Sequence, residues 1–125
     1  MARLPTPLPY AQQVAIFSRL RDAEPSPVTE LHHDNAYQLL VAVALSAQAT
    51  DKGVNRATEA LFQLVDTPAA MLELGEARLV EHIRTIGLYR NKAKNVVALS
   101  RILVERHGAV VPSSRAALQA LPGVG

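Results

Sequence analysis

The sequence contains no cysteine and no tryptophan, and only 4% of its 125 residues are aromatic. Without cysteine, these residues can form neither a disulfide nor a thiolate metal site. The longest apolar run covers residues 39–45, far fewer than the roughly 20 residues that a membrane-spanning helix needs. The composition is otherwise that of a globular protein, with 49% hydrophobic and 19% charged residues.

The amino-terminal segment lacks the apolar stretch of a signal peptide. Residues 1–9 contain three prolines instead, so we predict a flexible arm over residues 1–10. Residues 11–125 are then expected to form one helical domain that is incomplete at its carboxy-terminal end. The missing signal and membrane segments favour the cytoplasm, with no membrane partner. The oligomeric state stays open, with a monomer expected for a complete protein.

Charge is distributed unevenly, although the net charge is only +2. Residues 1–77 carry five Lys/Arg against nine Asp/Glu, whereas residues 78–125 carry eight against two. This excess of positive charge in one part of the chain suggests a surface that binds a polyanion. An ordinary solvated helix surface gives the same pattern, so charge alone leaves both interpretations open.

Helical periodicity and capping residues predict an all-α protein, a multi-helix bundle without strands. The run 39–45 is apolar on all sides, which places its helix at the centre of the bundle. Gly87 and Gly108 each follow a predicted helix, and a left-handed glycine commonly ends a helix. The seven predicted helices cover 11–23, 36–47, 51–65, 68–74, 76–86, 90–107 and a last segment from a cap at Ser113 or Ser114 to Leu121.

Three motifs carry most of the functional information. They are LSAQATD at 45–51, IGLYRNKA at 86–93 and LPGVG at 121–125. A Pro-Gly-x-Gly turn after a helix normally opens another helix, and its amides can form an anion-binding concavity. We therefore expect the chain to end inside a helical hairpin, with Leu118, Leu121 and Val124 lacking apolar partners.

In their order and spacing the three motifs resemble endonuclease III, a family of bacterial DNA glycosylases with AP-lyase activity in the helix-hairpin-helix superfamily. The resemblance covers roughly residues 12–125. Related adenine glycosylases usually carry a second glutamine where this chain has Ala47, which favours the endonuclease III branch. The resemblance implies base-excision repair, with double-stranded DNA containing an oxidised pyrimidine or an abasic site as substrate.

The resemblance also implies roles for individual residues. Gln48 would enter the duplex and fill the gap that an extruded base leaves. Leu88, on a turn between two helices, would act as an apolar wedge. Each also has an ordinary interpretation: a helix-terminal glutamine that satisfies backbone groups, and a hydrophobic contact after a helix end.

Contacts to DNA phosphates are expected at two further places. The amides of the hairpin turn would hold a phosphate without reading sequence; they belong to Gly123, Val124 and Gly125. Basic side chains are further candidates by charge and placement, namely Arg90, Lys92, Lys94 and Arg115.

No catalytic residue is predicted within residues 1–125. The family's lysine nucleophile would fall two residues beyond Gly125, its aspartate further on, and its four [4Fe–4S] cysteines further still. Lys52, Lys92 and Lys94 do not match the nucleophile's motif. Isolated or adjacent histidines give no convincing metal site. The alternatives are a non-catalytic DNA-binding protein, an inert fragment, and a member of the adenine-specific branch.

Overall fold

The computed structural model describes residues 31–124, so the predicted arm 1–10, the predicted helix 11–23 and Gly125 lie outside the described residues. Within this range the protein is all-helical, as the sequence predicts, and no strand is present. All six helices predicted there are found. They are α1 (Ala36–Leu45), α2 (Asp51–Leu64), α3 (Pro68–Leu74), α4 (Glu76–Ile83), α5 (Tyr89–Arg106) and α6 (Arg115–Gln119).

Four of these helices begin at a polar residue whose side chain accepts a hydrogen bond from a backbone amide of the first turn. Such caps satisfy donors that have no partner inside the helix. The cap residues and the residues whose amides donate to them are Asn35 with Gln38, Thr50 with Gly53, Thr67 with Ala70, and Ser114 with Ala117. For the last helix the sequence leaves Ser113 or Ser114 as the cap, and the structure selects Ser114.

The core forms around α1 and α5. All residues of α1 after Ala36 are buried, in agreement with the central position predicted from its apolar sequence. The long helix α5 packs against α1, α3 and α4, and α2 packs against α1 and α4. Within residues 31–124, no helix has the length and apolar character needed to cross a bilayer.

The carboxy-terminal part of the core corrects an expectation. Leu118, Leu121 and Val124 were expected to lack partners, but their exposed fractions are only 0%, 3% and 5%. They belong to the same apolar cluster as α1 and α5. The expectation was wrong because the short helix α6 and the turn after it fold back onto the bundle. Gly123 comes so close to α5 that a Cβ there would lie 3.0 Å from the Asn95 Cβ.

Buried polar groups connect the helices through satisfied hydrogen bonds. The Gln38 amide donates to the carbonyls of Phe62 and Val65, both at 3.1 Å, and joins α1 to the end of α2. The Ser100 hydroxyl donates to the Val96 carbonyl at 2.7 Å. Since that uses its only proton, the Tyr37 hydroxyl is the donor in the 2.5 Å bond to Ser100 Oγ.

Candidate nucleic-acid interface

Gln48 lies in a tight turn directly after the central helix. The hydroxyl and the amide of Ser46 both donate to the Val43 carbonyl, at 2.8 and 3.1 Å, and this closure ends α1. The Ala49 amide then donates to the Ser46 carbonyl at 3.0 Å, across Gln48. Gln48 has a φ of 58° and an exposed side chain. The Gln48 turn, residues 46–49, therefore presents a polar side chain from a left-handed backbone.

Leu88 lies in a second turn, between α4 and α5. The Ile86 amide donates to the Ile83 carbonyl at 2.9 Å, and the Ile86 side chain is buried. Leu88 is 60% exposed. It is the N-cap of α5, with φ 60° and ψ 30°, and no side chain caps the helix there. We call residues 84–88 the Leu88 turn.

The left-handed conformation in the Leu88 turn falls on an unexpected residue. The sequence predicts it at Gly87, which has no Cβ to clash. That prediction is wrong, because the positive φ belongs to Leu88. A leucine in this conformation is uncommon and invites a functional explanation.

The hairpin segment, residues 121–124, differs in detail from the expected phosphate cradle. Gly123 is exposed and has a φ of 81°, as a turn glycine should. The Val124 amide, however, donates to the Leu121 carbonyl at 3.2 Å, so it is engaged within the turn. Gly125 lies outside the described residues. Phosphate binding by these amides stays a prediction, with Val124 a weaker candidate than Gly123.

These three segments meet along one face of α5. Leu88 begins the helix, Lys92 contacts the Gln48 turn, and Asn95 lies against Gly123. Positions four and then three residues apart lie above one another on a helix. The amino-terminal half of α5 is thus the scaffold that the motifs at 45–51, 86–93 and 121–125 share.

The basic candidates fall into two groups. Arg90, Lys94 and Arg115 are exposed, as contacts to a phosphate require. Arg90 Nε donates to the Tyr89 hydroxyl at 3.3 Å, and its guanidinium lies 5.4 Å from the ring centroid. Tyr89 is half-buried and packs against the apolar core.

Lys92 departs from the expected role of a surface phosphate contact. Only 5% of its surface is exposed, and its Nζ donates to the Ala47 carbonyl at 2.6 Å. Burial lowers the pKa of this ammonium from its ordinary value. The sequence could not show this, because the partner carbonyl lies 45 residues away.

The profile of the HhH-GPD superfamily of base excision DNA repair proteins matches residues 41–124. The chain belongs to this superfamily. Endonuclease III of Treponema pallidum is 59% identical over 111 residues, which is 89% of this chain and 53% of that protein. Endonuclease III of Escherichia coli K12 is 53% identical over 115 residues, with 92% and 54% covered. The resemblance to endonuclease III is thereby confirmed, and the chain spans about half the length of these relatives.

Solved structures give the same result for the fold. The HhH-GPD chain matches a trapped endonuclease III–DNA covalent intermediate with a TM-score of 0.76 and 40% identity, covering 94% of this chain and 55% of the other. A non-covalent endonuclease III–DNA complex matches equally well. A thermostable thymine-DNA glycosylase, at 24% identity and a TM-score of 0.69, shares the fold.

The HhH-GPD chain offers no ligands for the [4Fe–4S] cluster that the resemblance implies. Such clusters are held by cysteine thiolates, and residues 1–125 contain no cysteine. Among residues 31–124, no group of His, Cys, Asp and Glu side chains could hold a metal ion. A cleft of about 480 Å³ lies between the start of α1 and α2, near His33 and Lys52. It is not lined by Gln48, Leu88 or the hairpin segment, so it does not form the predicted interface.

Proposed function

We propose that residues 1–125 form the DNA-recognition half of an endonuclease III-like DNA N-glycosylase and AP lyase. The substrate would be double-stranded DNA that carries an oxidised pyrimidine or an abasic site, within the bacterial cytoplasm and nucleoid. Identities of 59% and 53% to endonuclease III relatives support this assignment. So does the fold that the chain shares with endonuclease III in two DNA complexes. The exposed leucine at the start of α5 carries the argument.

Leu88 combines three features that each cost free energy. A left-handed backbone costs a residue with a Cβ about 1–2 kcal/mol. An apolar side chain that is 60% exposed gains little from burial. At the N-cap, a leucine leaves the first amides of α5 without a side-chain acceptor. A residue that violates several local structural preferences at once is expected where a function requires that residue. Insertion between stacked bases would bury this side chain, as an apolar wedge requires.

Gln48 supplies the polar counterpart. It is exposed and left-handed, like Leu88. Its amide can both donate and accept hydrogen bonds, so it can pair with the edge of an unpaired base. An enzyme that acts on a base must take that base out of the stack. We assign separation of the stacked bases to Leu88 and occupation of the vacated position to Gln48.

Contacts to the DNA backbone would hold the duplex in register over these two residues. Arg90 and Lys94 are exposed on α5 near Leu88, and Gly123 is exposed on the adjoining hairpin segment. Phosphate contacts of this kind fix the position of a duplex and provide much of its salt-dependent affinity. Specificity for a lesion would come from the ease with which a damaged base leaves the stack.

The chemical step would depend on residues outside this chain. The resemblance implies a lysine that attacks the sugar C1′, displaces the base and forms a Schiff base, followed by strand cleavage through β-elimination. It also implies an aspartate that stabilises the developing cation. We assign neither role to residues 1–125. A second candidate function is DNA binding without chemistry, which the exposed basic side chains of Arg90, Lys94 and Arg115 would support.

The proposal is tested by separating base excision from product binding. In the full-length gene product, Gln48→Ala and Leu88→Ala should slow excision of an oxidised pyrimidine about tenfold to a hundredfold, because extrusion costs a few kcal/mol. Binding to an abasic product should change much less, since phosphate contacts remain. Leu64→Ala is the matched control, because Leu64 is also an exposed leucine, 63% exposed, and lies at the end of α2. Equal and small losses in both assays for Gln48→Ala and Leu88→Ala would indicate that these residues only pack.

Borohydride trapping on an abasic duplex distinguishes the two candidate functions. Residues 1–125 alone should give no covalent adduct, whereas residues 1–125 joined to the second half of an endonuclease III should give one. DNA binding without an adduct in the joined protein would favour the non-catalytic alternative. An adduct with residues 1–125 that disappears on changing Lys52, Lys92 or Lys94 would contradict our assignment of the chemistry.

A further inference from the structure

Lys92 occupies a position that a surface cation would not take. It lies in the first turn of α5, between the exposed Arg90 and Lys94, yet only 5% of it is exposed. Taking an ammonium group out of water is costly unless hydrogen bonds replace the lost hydration. The burial of Lys92 therefore calls for a partner inside the protein.

That partner is the peptide group that precedes Gln48. Lys92 Nζ donates to the Ala47 carbonyl at 2.6 Å. The Ala47 carbonyl and the Gln48 amide belong to one planar peptide unit, and φ of Gln48 describes rotation away from this plane. Gln48 has a φ of 58°, which a residue with a Cβ does not adopt without support from its surroundings. The hydrogen bond from Lys92 holds this peptide plane in place and so supports the left-handed φ of Gln48.

The same residue closes the other turn. The Lys92 backbone amide donates to the Leu88 carbonyl at 3.0 Å, the first intrahelical bond of α5. Lys92 thus contacts a carbonyl in the Gln48 turn through its side chain and a carbonyl in the Leu88 turn through its backbone. Leu88 is the other candidate with a left-handed backbone, with a φ of 60°.

We propose that Lys92 is a positioning residue that couples the two turns, so that Gln48 and Leu88 meet the duplex at a fixed separation. This inference rests on the proposed function, in which both side chains enter the same DNA site. Groups held in place before binding lose less conformational freedom when the complex forms. Without the bond to Ala47, the Gln48 turn would sample other backbone conformations and insertion would become less frequent.

Two other roles for Lys92 predict different results. If Lys92 contacted a phosphate, it would strengthen binding to every duplex. Its loss would then reduce the slope of log K against log [salt] by about one, the contribution of one phosphate contact. If Lys92 were needed only for folding, its substitution would change the melting temperature but would not reduce insertion more than it reduces binding. A positioning role predicts loss of insertion with affinity and salt dependence nearly preserved.

The test compares two variants of the full-length gene product on a duplex that carries a tetrahydrofuran abasic analogue opposite 2-aminopurine. Lys92→Met keeps the length of the side chain and removes the donor, whereas Lys92→Arg keeps a donor. Lys52→Met removes an exposed lysine from the start of α2 and controls for the loss of one charge. The readouts on this duplex are 2-aminopurine fluorescence, which reports unstacking, and the Kd at two salt concentrations. The rate of lesion excision is measured on a second duplex that carries an oxidised pyrimidine.

We expect Lys92→Met to remove most of the fluorescence increase and to slow excision about tenfold to a hundredfold, the range for losing a hydrogen bond to a charged group. The Kd for the abasic duplex should change less than about threefold, with its salt dependence unchanged. Lys92→Arg should restore most of the signal. A methionine is expected to be accepted at this buried position; if Lys92→Met does not fold, Lys92→Gln takes its place in the same comparison.

The failure of this inference is distinguishable from failure of the proposed function. If Lys92→Met matches the unaltered protein while Gln48→Ala and Leu88→Ala lose the fluorescence increase, the coupling is refuted and the proposed function stands. A uniform loss of affinity with a weaker salt dependence would assign Lys92 to a phosphate instead. If Gln48→Ala and Leu88→Ala also match the unaltered protein, insertion itself is refuted.

Discussion

The conformation of Leu88 leads to a prediction about the relative stability of two variants, which reverses the order usual in helices. Inside a helix, a glycine makes the protein less stable than an alanine does, by about 0.8–1 kcal/mol. At Leu88, however, φ is 60° and the residue is the N-cap of α5. Leu88→Gly should therefore give a more stable protein than Leu88→Ala.

The magnitude follows from three contributions. Both substitutions remove the same leucine side chain, so the partial burial that is lost cancels in the comparison. Alanine keeps the left-handed penalty of about 1–2 kcal/mol, and glycine relieves it. Glycine also gives the unfolded chain more freedom, which costs about 0.4–1 kcal/mol. The difference should be about 0.5–1 kcal/mol in favour of Leu88→Gly, or about 1–4 °C in the melting temperature of a protein of endonuclease III size.

Thermal and urea unfolding of both variants in the full-length gene product measures this difference. Arg101 provides the reference pair, because it is exposed in the interior of α5 and Arg101→Gly should be less stable than Arg101→Ala. Both Leu88 variants should lose excision activity to the same extent, since neither retains an apolar wedge. A Leu88→Gly protein less stable than Leu88→Ala would refute the argument that backbone strain is retained at this residue for function.

The buried Tyr37–Ser100 pair gives the remaining predictions. Ser100→Ala should destabilise by about 1–3 kcal/mol, more than Tyr37→Phe, because it leaves the buried Tyr37 hydroxyl without an acceptor; equal losses in urea unfolding would contradict the donor assignment. Burial raises the pKa of Tyr37 above its ordinary value of 10.0, and the bond to Ser100 only partly offsets this. The unfolded chain then releases the tyrosine proton first, so the contribution of Tyr37 to stability is lost as pH rises above about 10. The stability difference between the unaltered protein and Tyr37→Phe should shrink there, and a constant difference across this range would oppose the burial argument.

The helices could be predicted from sequence because their signals are local. The apolar run 39–45 predicted a central helix, and the structure buries it completely. Helix ends were less certain, since they depend on individual turn bonds. The helix predicted over 36–47 stops at Leu45 because Ser46 bonds back to Val43. The helix predicted over 76–86 stops at Ile83, and the Ile86 amide bonds to the Ile83 carbonyl in a turn.

The candidate interface was predictable only in part. The resemblance of the motifs selected Gln48 and Leu88, and both are exposed in turns. Their left-handed backbones carry no sequence signal, because neither residue is a glycine and the neighbouring Gly87 was the expected position. The role of Lys92 depends on a contact across 45 residues, which neither periodicity nor charge pattern contains. Long-range geometry of this kind required the structure.

The most direct test of the account is a crystal structure of the full-length gene product on a duplex with an abasic-site analogue. We predict that the Gln48 and Leu88 side chains lie within the base stack, that Arg90 or Lys94 contacts a phosphate, and that Lys92 Nζ remains bonded to the Ala47 carbonyl. A complex in which the duplex lies on another face, with both side chains outside the stack, would contradict it.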